Sequence, residues 1–173
     1  MAASKLLSRH LEALKALDSL NGRKVEAGWF ESARYPSGKV SGKGSGNRKY
    51  SGGEGGGMLV SQVMRIMEYG ATITRGDKTI TIPARPAMRY AWSNFQQNRP
   101  QVQSVIARNL IEGKITAEQA LGNIGIALEG EIVRSIRDGP WTPNSKATVR
   151  AKGFDKPLID TSIAWQSVSS KVS

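Results

Sequence analysis

Residues 138–173 read DGPWTPNSKATVRAKGFDKPLIDTSIAWQSVSSKVS, and this stretch contains the parts that close the fold. Gly139-Pro140 ends a preceding helix, since proline cannot continue one. Residues 143–145 open a short helix, residues 156–157 turn the chain, and the alternating run 162–173 predicts a last strand. We therefore expect this C-terminal stretch to complete a sheet that begins earlier in the chain.

The run at residues 23–30 is the expected partner of that last strand. Apolar and polar residues alternate in it with the period of two that a half-buried strand requires. Val25, Ala27 and Trp29 are the apolar positions of the first run, and Ile163, Trp165 and Val168 indicate the last strand.

A β-hairpin is predicted in the part of the sequence that separates these two runs. Residues 71–74 and 78–82 are rich in Thr and Ile, and Arg75-Gly76-Asp77 separates them. Gly76 can adopt the positive φ that a tight turn needs, and Pro83 ends the second strand.

Apolar residues spaced three and four apart predict four long helices, at residues 4–20, 58–69, 87–97 and 116–138. Ser4 is the expected N-cap of the first. Asn98-Arg99-Pro100 is expected to end or kink the third helix and to start another that reaches about Glu112. The expected buried stripe of the third helix consists of Met88, Ala91, Trp92 and Phe95.

The helix at residues 116–138 has the strongest periodicity. It begins with a capping-box pattern from Thr116 to Gln119. It also contains Gly122, Gly125 and Gly130, each of which costs roughly 1 kcal/mol of helix propensity relative to Ala. We expect a neighbouring backbone to approach the helix closely at these glycines.

The composition describes one domain of 173 residues with a net charge of +11. The predicted fold is α+β: a small antiparallel or mixed sheet packed against two or three longer helices, with a long flexible Gly-rich loop. No apolar run approaches the ~20 residues of a membrane span, so no membrane partner is expected. The chain has no cysteine and one histidine, which excludes Cys-His and multi-His metal sites.

Residues 37–57 form the unusual segment, because nine of them are glycine. Such a segment buries too little apolar surface to order alone, so we expect a flexible arm or loop. It is either a tolerated loop or a basic arm that orders against a neighbouring subunit or lies near nucleic acid. Its candidate contact residues are Lys39, Lys43, Arg48 and Lys49.

Further basic residues are candidate contacts with a neighbouring subunit or with DNA. Arg85 and Arg89 flank the Pro-led start of the third helix, and Lys146, Arg150 and Lys152 are expected on the exposed face of the short helix. A solvated surface charge is the competing interpretation for each. No catalytic residue, cofactor or metal site is predicted.

Three blocks of this sequence resemble the small neck and tail-completion proteins of tailed bacteriophages. They are MEYGATI at residues 67–73, ITIPARPAMR at residues 80–89, and DGPWTPNS followed by RAKG and KPLIDT at residues 138–161. The resemblance covers roughly residues 58–168, and the order of the blocks is more specific than any single block.

The resemblance implies a structural virion protein without enzymatic activity. Such proteins assemble in the host cytoplasm and sit at the head–tail junction of the virion. They form rings, commonly hexameric, that complete the tail or join it to the connector. The implied partners are further copies of the chain and other neck, connector and tail proteins. The positive charge suits a lumen through which DNA passes without being read by sequence.

An alternative function remains open from the residues themselves. A basic nucleic-acid-binding module that uses the Gly/Lys-rich arm would have the same net charge. Tight and steeply salt-dependent binding of DNA by the isolated subunit would favour this module.

Overall fold

The computed structural model describes residues 2–35, 38–39, 49–50 and 57–173, and within these ranges the chain has an α+β fold. Most of the Gly-rich arm, with Lys43 and Arg48, lies outside the described residues. The described residues form six helices and six strands: α1 (Ala2–Asp18), β1 (Val25–Gly28), β2 (Gly38–Lys39), β3 (Lys49–Tyr50), α2 (Val60–Tyr69), β4 (Ala71–Arg75), β5 (Lys78–Ile82), α3 (Ala87–Ile111), α4 (Ala117–Asp138), α5 (Lys146–Lys152), α6 (Ile163–Gln166) and β6 (Ser169–Val172).

The described strands form three separate antiparallel pairs. The last strand, β6, pairs with β1 in the register Val25 to Val172, which confirms the predicted closure of the fold by the C-terminus. The predicted hairpin is present as β4 and β5, with Ile73 opposite Ile80. Strands β2 and β3 form a third, shorter pair.

Helix α4 is the central element, because it packs against α3, α6, β1 and β6. Its capping box is confirmed: the Thr116 side chain accepts from the backbone of Gln119, and the Gln119 side chain accepts from the backbone of Thr116. Ile136 and Ser135 are fully buried, and the Ser135 hydroxyl donates to the Ala87 carbonyl at 2.7 Å. This bond ties α4 to the first turn of α3.

Only Gly125 among the three helix glycines shows a close approach, and the nearest atoms belong to the side chains of Ser170 and Val25 rather than to a backbone. A Cβ at Gly125 would lie 2.9 Å from the Cβ of Ser170 in β6, so the sheet crosses α4 at this point. The same expectation is wrong for Gly122 and Gly130, where a Cβ would meet nothing within 4 Å.

Two expectations for the helices are wrong. Helix α1 begins at Ala2, so Ser4 is inside it and is not its N-cap. Helix α3 runs without interruption from Ala87 to Ile111, so the expected helix end at residues 98–100 is wrong and Pro100 lies inside the helix. Proline removes one backbone hydrogen bond, and the packing of α3 along α4 offsets that loss.

Trp92 does not belong to the buried stripe of α3. Its side chain is 53% exposed, whereas Ala91 and Phe95 are buried. The buried stripe faces α4 at the helical spacing of three and four, and Trp92 lies at its margin, where its ring stacks on Phe95 at 5.9 Å.

The predicted last strand is shorter than the alternating run indicates. Ile163 and Trp165 lie in the single helical turn α6, and only residues 169–172 are a strand. Ser162 adopts a positive φ of 64° immediately before this turn. The turn buries Ala164, whose carbonyl accepts a hydrogen bond from the Trp29 indole at 2.6 Å.

Candidate assembly surface

The β4–β5 hairpin is anchored firmly at its base. Gly70, between α2 and β4, has φ of 73°, and a Cβ there would lie 2.8 Å from the Ile82 carbonyl oxygen. The Arg85 backbone N–H donates to the Met67 carbonyl at 2.6 Å. These contacts determine the direction in which the hairpin leaves the body, because only glycine fits the close approach at this conformation.

The two faces of the hairpin differ in chemistry. Cross-strand partners share a face, so the pair Ile73 and Ile80 lies on one face and the pair Thr74 and Thr79 on the other. The Thr74 and Thr79 hydroxyls lie 3.4 Å apart. Ile73 is 41% exposed and Ile80 is 59% exposed. A two-stranded hairpin is only marginally stable in water, so this exposed isoleucine face favours a partner.

Arg85 is not a surface contact, because it is only 6% exposed. Its Nε donates to the Thr142 carbonyl at 3.0 Å, and its Nη2 lies 3.3 Å from both the Pro143 carbonyl and the Asn144 side-chain oxygen. Burial lowers the pKa of the Arg85 guanidinium, and the charge of Asp155 raises it in part. Arg85 therefore holds the Trp-Pro loop against the base of the hairpin.

The short helix α5 presents fewer cations than the sequence predicts. Ser145 caps it, and Lys146 and Arg150 are exposed on its outer face. Lys152 is only 4% exposed, so its predicted place on that face is wrong. Lys152 is six residues after Lys146, so the turn of the helix directs its side chain toward the body. There the Lys152 Nζ donates to the Lys156 carbonyl at 2.6 Å.

Arg89 remains accessible, with its side chain 63% exposed. It forms an ion pair with Glu68 at 2.9 Å, and its guanidinium lies over the ring of Tyr69 at 5.4 Å from the centroid. Of the arm candidates, Lys39 and Lys49 are cross-strand partners in the backbone register of β2 and β3. The structure thus brings Arg89 beside the hairpin and keeps Lys146 and Arg150 on α5.

An open cleft of about 830 Å³ lies between β1, α2 and the start of α3. We call it the aromatic cleft, because four of its lining residues are Trp29, Phe30, Tyr69 and Trp92. Arg65, Glu68 and Arg89 contribute charge to its walls. The alternation of residues 23–30 predicts the strand that borders it, but nothing in the sequence signals that α2 and α3 stand far enough away to leave a cleft.

Helix α1 presents a second exposed apolar surface. Leu11, Leu14 and Leu17 are all exposed, Leu14 by 63%. They are spaced three apart and so lie along one side of the helix. Monomeric soluble proteins rarely expose such stripes, and a contiguous apolar stripe favours contact with another protein surface.

The part of the chain that the structure describes contains no group of three or more His, Asp or Glu residues placed to hold a metal ion. None of its helices is both long enough and apolar enough to cross a membrane. No protein-family model, curated protein or solved structure matches this chain. The resemblance of residues 58–168 to phage neck and tail-completion proteins therefore stays a prediction.

Proposed function

We propose that this chain is a structural subunit of a ring at the head–tail junction of a tailed bacteriophage. In that ring it completes the tail or joins it to the head connector, and it performs no catalysis. The ring is a homo-oligomer, expected to be a hexamer, and other neck, connector and tail proteins bind to it.

The observation that carries this proposal is the hairpin. It is fixed at its base by Gly70, and it exposes Ile73 and Ile80 on one face. An exposed apolar hairpin promotes aggregation of a monomer. In a ring, a neighbouring subunit covers the same surface, and its burial stabilises the contact between subunits. The blocks of the family resemblance that include residues 67–73 and 80–89 contain both of these isoleucines.

The charge of the chain is compatible with DNA passing through the ring. Net charge is +11, and Arg89, Lys146 and Arg150 are exposed. Contacts to phosphates give affinity without sequence preference. We therefore expect weak, salt-dependent and sequence-independent binding of DNA by the ring.

Two measurements on the purified full-length chain test the proposal. Light scattering coupled to size-exclusion chromatography gives the mass in solution, and negative-stain electron microscopy gives the shape. We expect closed rings, either alone or after addition of tail or connector proteins. A monomer at every concentration, both alone and with those proteins, would contradict the proposal.

A salt titration distinguishes the alternative, a nucleic-acid-binding module. Log affinity for DNA falls with log salt concentration in proportion to the number of phosphates contacted. If the isolated monomer bound DNA tightly with a steep slope, the module would replace the ring as the better proposal.

A further inference from the structure

The unpaired edge of β1 runs along the aromatic cleft. Lys24 and Ser173 exchange both of their backbone hydrogen bonds, at 2.7 and 3.0 Å. In an antiparallel pair such hydrogen-bonded positions alternate with non-bonded ones. The backbone N–H and C=O groups of residues 24, 26 and 28 therefore point toward β6. The backbone N–H and C=O groups of Val25 and Ala27 therefore point away from β6. Among the described residues, no backbone group bonds to them from that side.

The hairpin has an unpaired edge of its own. A two-residue turn joins its strands, and in such a hairpin the flanking pair, Arg75 and Lys78, is the hydrogen-bonded one. Counting back along β4, the outward-pointing backbone groups belong to Thr72 and Thr74. Strand β5 borders a cleft within its own subunit, so β4 is the outer edge.

We propose that β4 of one copy of this chain adds to the free edge of β1 in the next copy, inside the aromatic cleft. This inference rests on the proposed ring, and it names the contact between subunits. Strand β1 has four residues and β4 has five, so each spans about 13–17 Å and their lengths match. Because the hairpin and the cleft are different surfaces, the contact is head-to-tail, the kind that generates rings.

Burial of Ile73 determines that the added strand is parallel to β1. The side chains of Val25 and Ala27 face a small cavity shared with Met88 and Trp92. Antiparallel pairing would place the threonines opposite Ala27 and would leave Ile73 in solvent. Parallel pairing places Ile73 opposite Ala27, over the exposed ring of Trp92. Ala27 then donates to the Thr72 carbonyl and accepts from the Thr74 N–H.

Complementary free edges support a second copy as the occupant. The edge of β1 offers the backbone groups of Val25 and Ala27, and the edge of β4 in the same chain offers those of Thr72 and Thr74. Among the described residues neither edge has a backbone partner, so each copy supplies the strand that the next copy lacks.

Cross-linking provides the test, because the chain has no cysteine of its own. The proposed register places Glu26 opposite Thr72, so Glu26→Cys with Thr72→Cys should give a ladder of disulfide-linked multimers under mild oxidation, because a disulfide needs Cα atoms within about 7 Å and a second strand lies about 10 Å away. The matched control is Glu26→Cys with Thr81→Cys, because Thr81 is the partner of Thr72 on the other strand of the same hairpin. The control should give no ladder beyond that of the single variants.

A proline pair provides a second test that leaves the hairpin ladder intact. Thr74→Pro removes the N–H that Ala27 would accept from, and Thr79→Pro makes the same change on the opposite edge. We expect the association constant to fall at least tenfold for Thr74→Pro and to be unchanged for Thr79→Pro. Circular dichroism checks that both variants fold.

The outcomes separate this inference from the proposed function. If a ring forms but the Glu26→Cys, Thr72→Cys variant gives no covalent multimers, the strand pairing is wrong and the proposed ring still holds. The same conclusion follows if Thr74→Pro does not weaken the ring. A monomer under all conditions overturns both proposals.

Discussion

The Glu68 carboxylate at the end of α2 caps helix α3 by accepting a hydrogen bond from the backbone N–H of Met88 at 2.9 Å. Its other oxygen accepts from the backbone N–H of Arg89 at 3.2 Å. Pro86 at the N-cap of α3 offers no side-chain bond, so a buried carboxylate from another helix supplies the missing acceptor. The hairpin leaves the body between these two elements, and the cap therefore helps to fix its base.

Loss of this cap should destabilise the fold. We expect Glu68→Ala to lower the free energy of unfolding by about 2–3 kcal/mol, because two helix N–H groups lose a charged acceptor. Denaturant titration measures the change. Glu12→Gln, on the exposed side of α1, is the control and should change stability by less than about 0.5 kcal/mol. Equal effects of the two substitutions would contradict the capping role.

The crossing of α4 and β6 at Gly125 predicts opposite effects of alanine at three glycines. Gly125→Ala should destabilise by about 1–3 kcal/mol, because its Cβ would overlap Ser170. Gly122→Ala and Gly130→Ala should stabilise by up to about 1 kcal/mol through helix propensity. In a background of Ser170→Gly, the penalty of Gly125→Ala should disappear in thermal melts.

Arg85 should behave as a structural residue. We expect Arg85→Met to cost roughly 2–4 kcal/mol, since it leaves the carbonyls of Thr142 and Pro143 without their donor. Arg150→Met, on the exposed face of α5, should cost less than about 0.5 kcal/mol and should instead weaken DNA binding. If Arg85→Met lost DNA binding with unchanged melting, the structural role would be wrong.

Trp141 and Trp92 should separate stability from assembly. The Trp141 indole donates to the Ser135 carbonyl at 2.9 Å and its ring meets the Tyr90 ring edge-on at 5.5 Å. Trp141→Ala should therefore cost about 2–3 kcal/mol of stability and leave assembly unchanged. Trp92→Ala should melt nearly as the parent does and lose assembly, because the Trp92 ring is exposed in the cleft. Scattering and thermal melts together give the comparison.

One surface carboxylate has a pH-dependent contact. The hydrogen bond from Lys114, followed by its charge, lowers the pKa of Glu112 below its ordinary value of 4.5. A lowered folded pKa means that the contribution to stability is present at neutral pH and is lost as pH falls through that pKa. Lys114→Met should return the Glu112 pKa toward 4.5 in an NMR titration, and Lys146→Met should not move it.

Local pattern was enough to predict most of the helices and strands. The capping box at Thr116 and the β4–β5 hairpin follow from spacing of apolar residues and from turn chemistry, which act over a few residues. The continuity of α3 through Pro100 was not predictable in this way. It depends on packing along α4, which the sequence around Pro100 does not record.

Local pattern was likewise not enough to predict which basic residues are exposed at the candidate surface. Lys146 and Lys152 have the same charge on one short helix, yet the first is exposed and the second is buried against Lys156. Arg85 and Arg89 are four residues apart, and one anchors a loop while the other faces solvent beside Glu68.

The sequence by itself determined the α+β class, the β4–β5 hairpin and the total charge, because these depend on periodicity, turn chemistry and composition. The tertiary structure alone decided how the C-terminal stretch that ends the chain is secured. Arg85 lies 53 residues before the start of this stretch, and it holds the Trp-Pro loop of the stretch in place. The tertiary structure also decided that the cleft beside β1 stays open and that the hairpin isoleucines stay exposed. Burial depends on what elements distant in the chain cover, and the spacing of neighbouring residues contains no information about that.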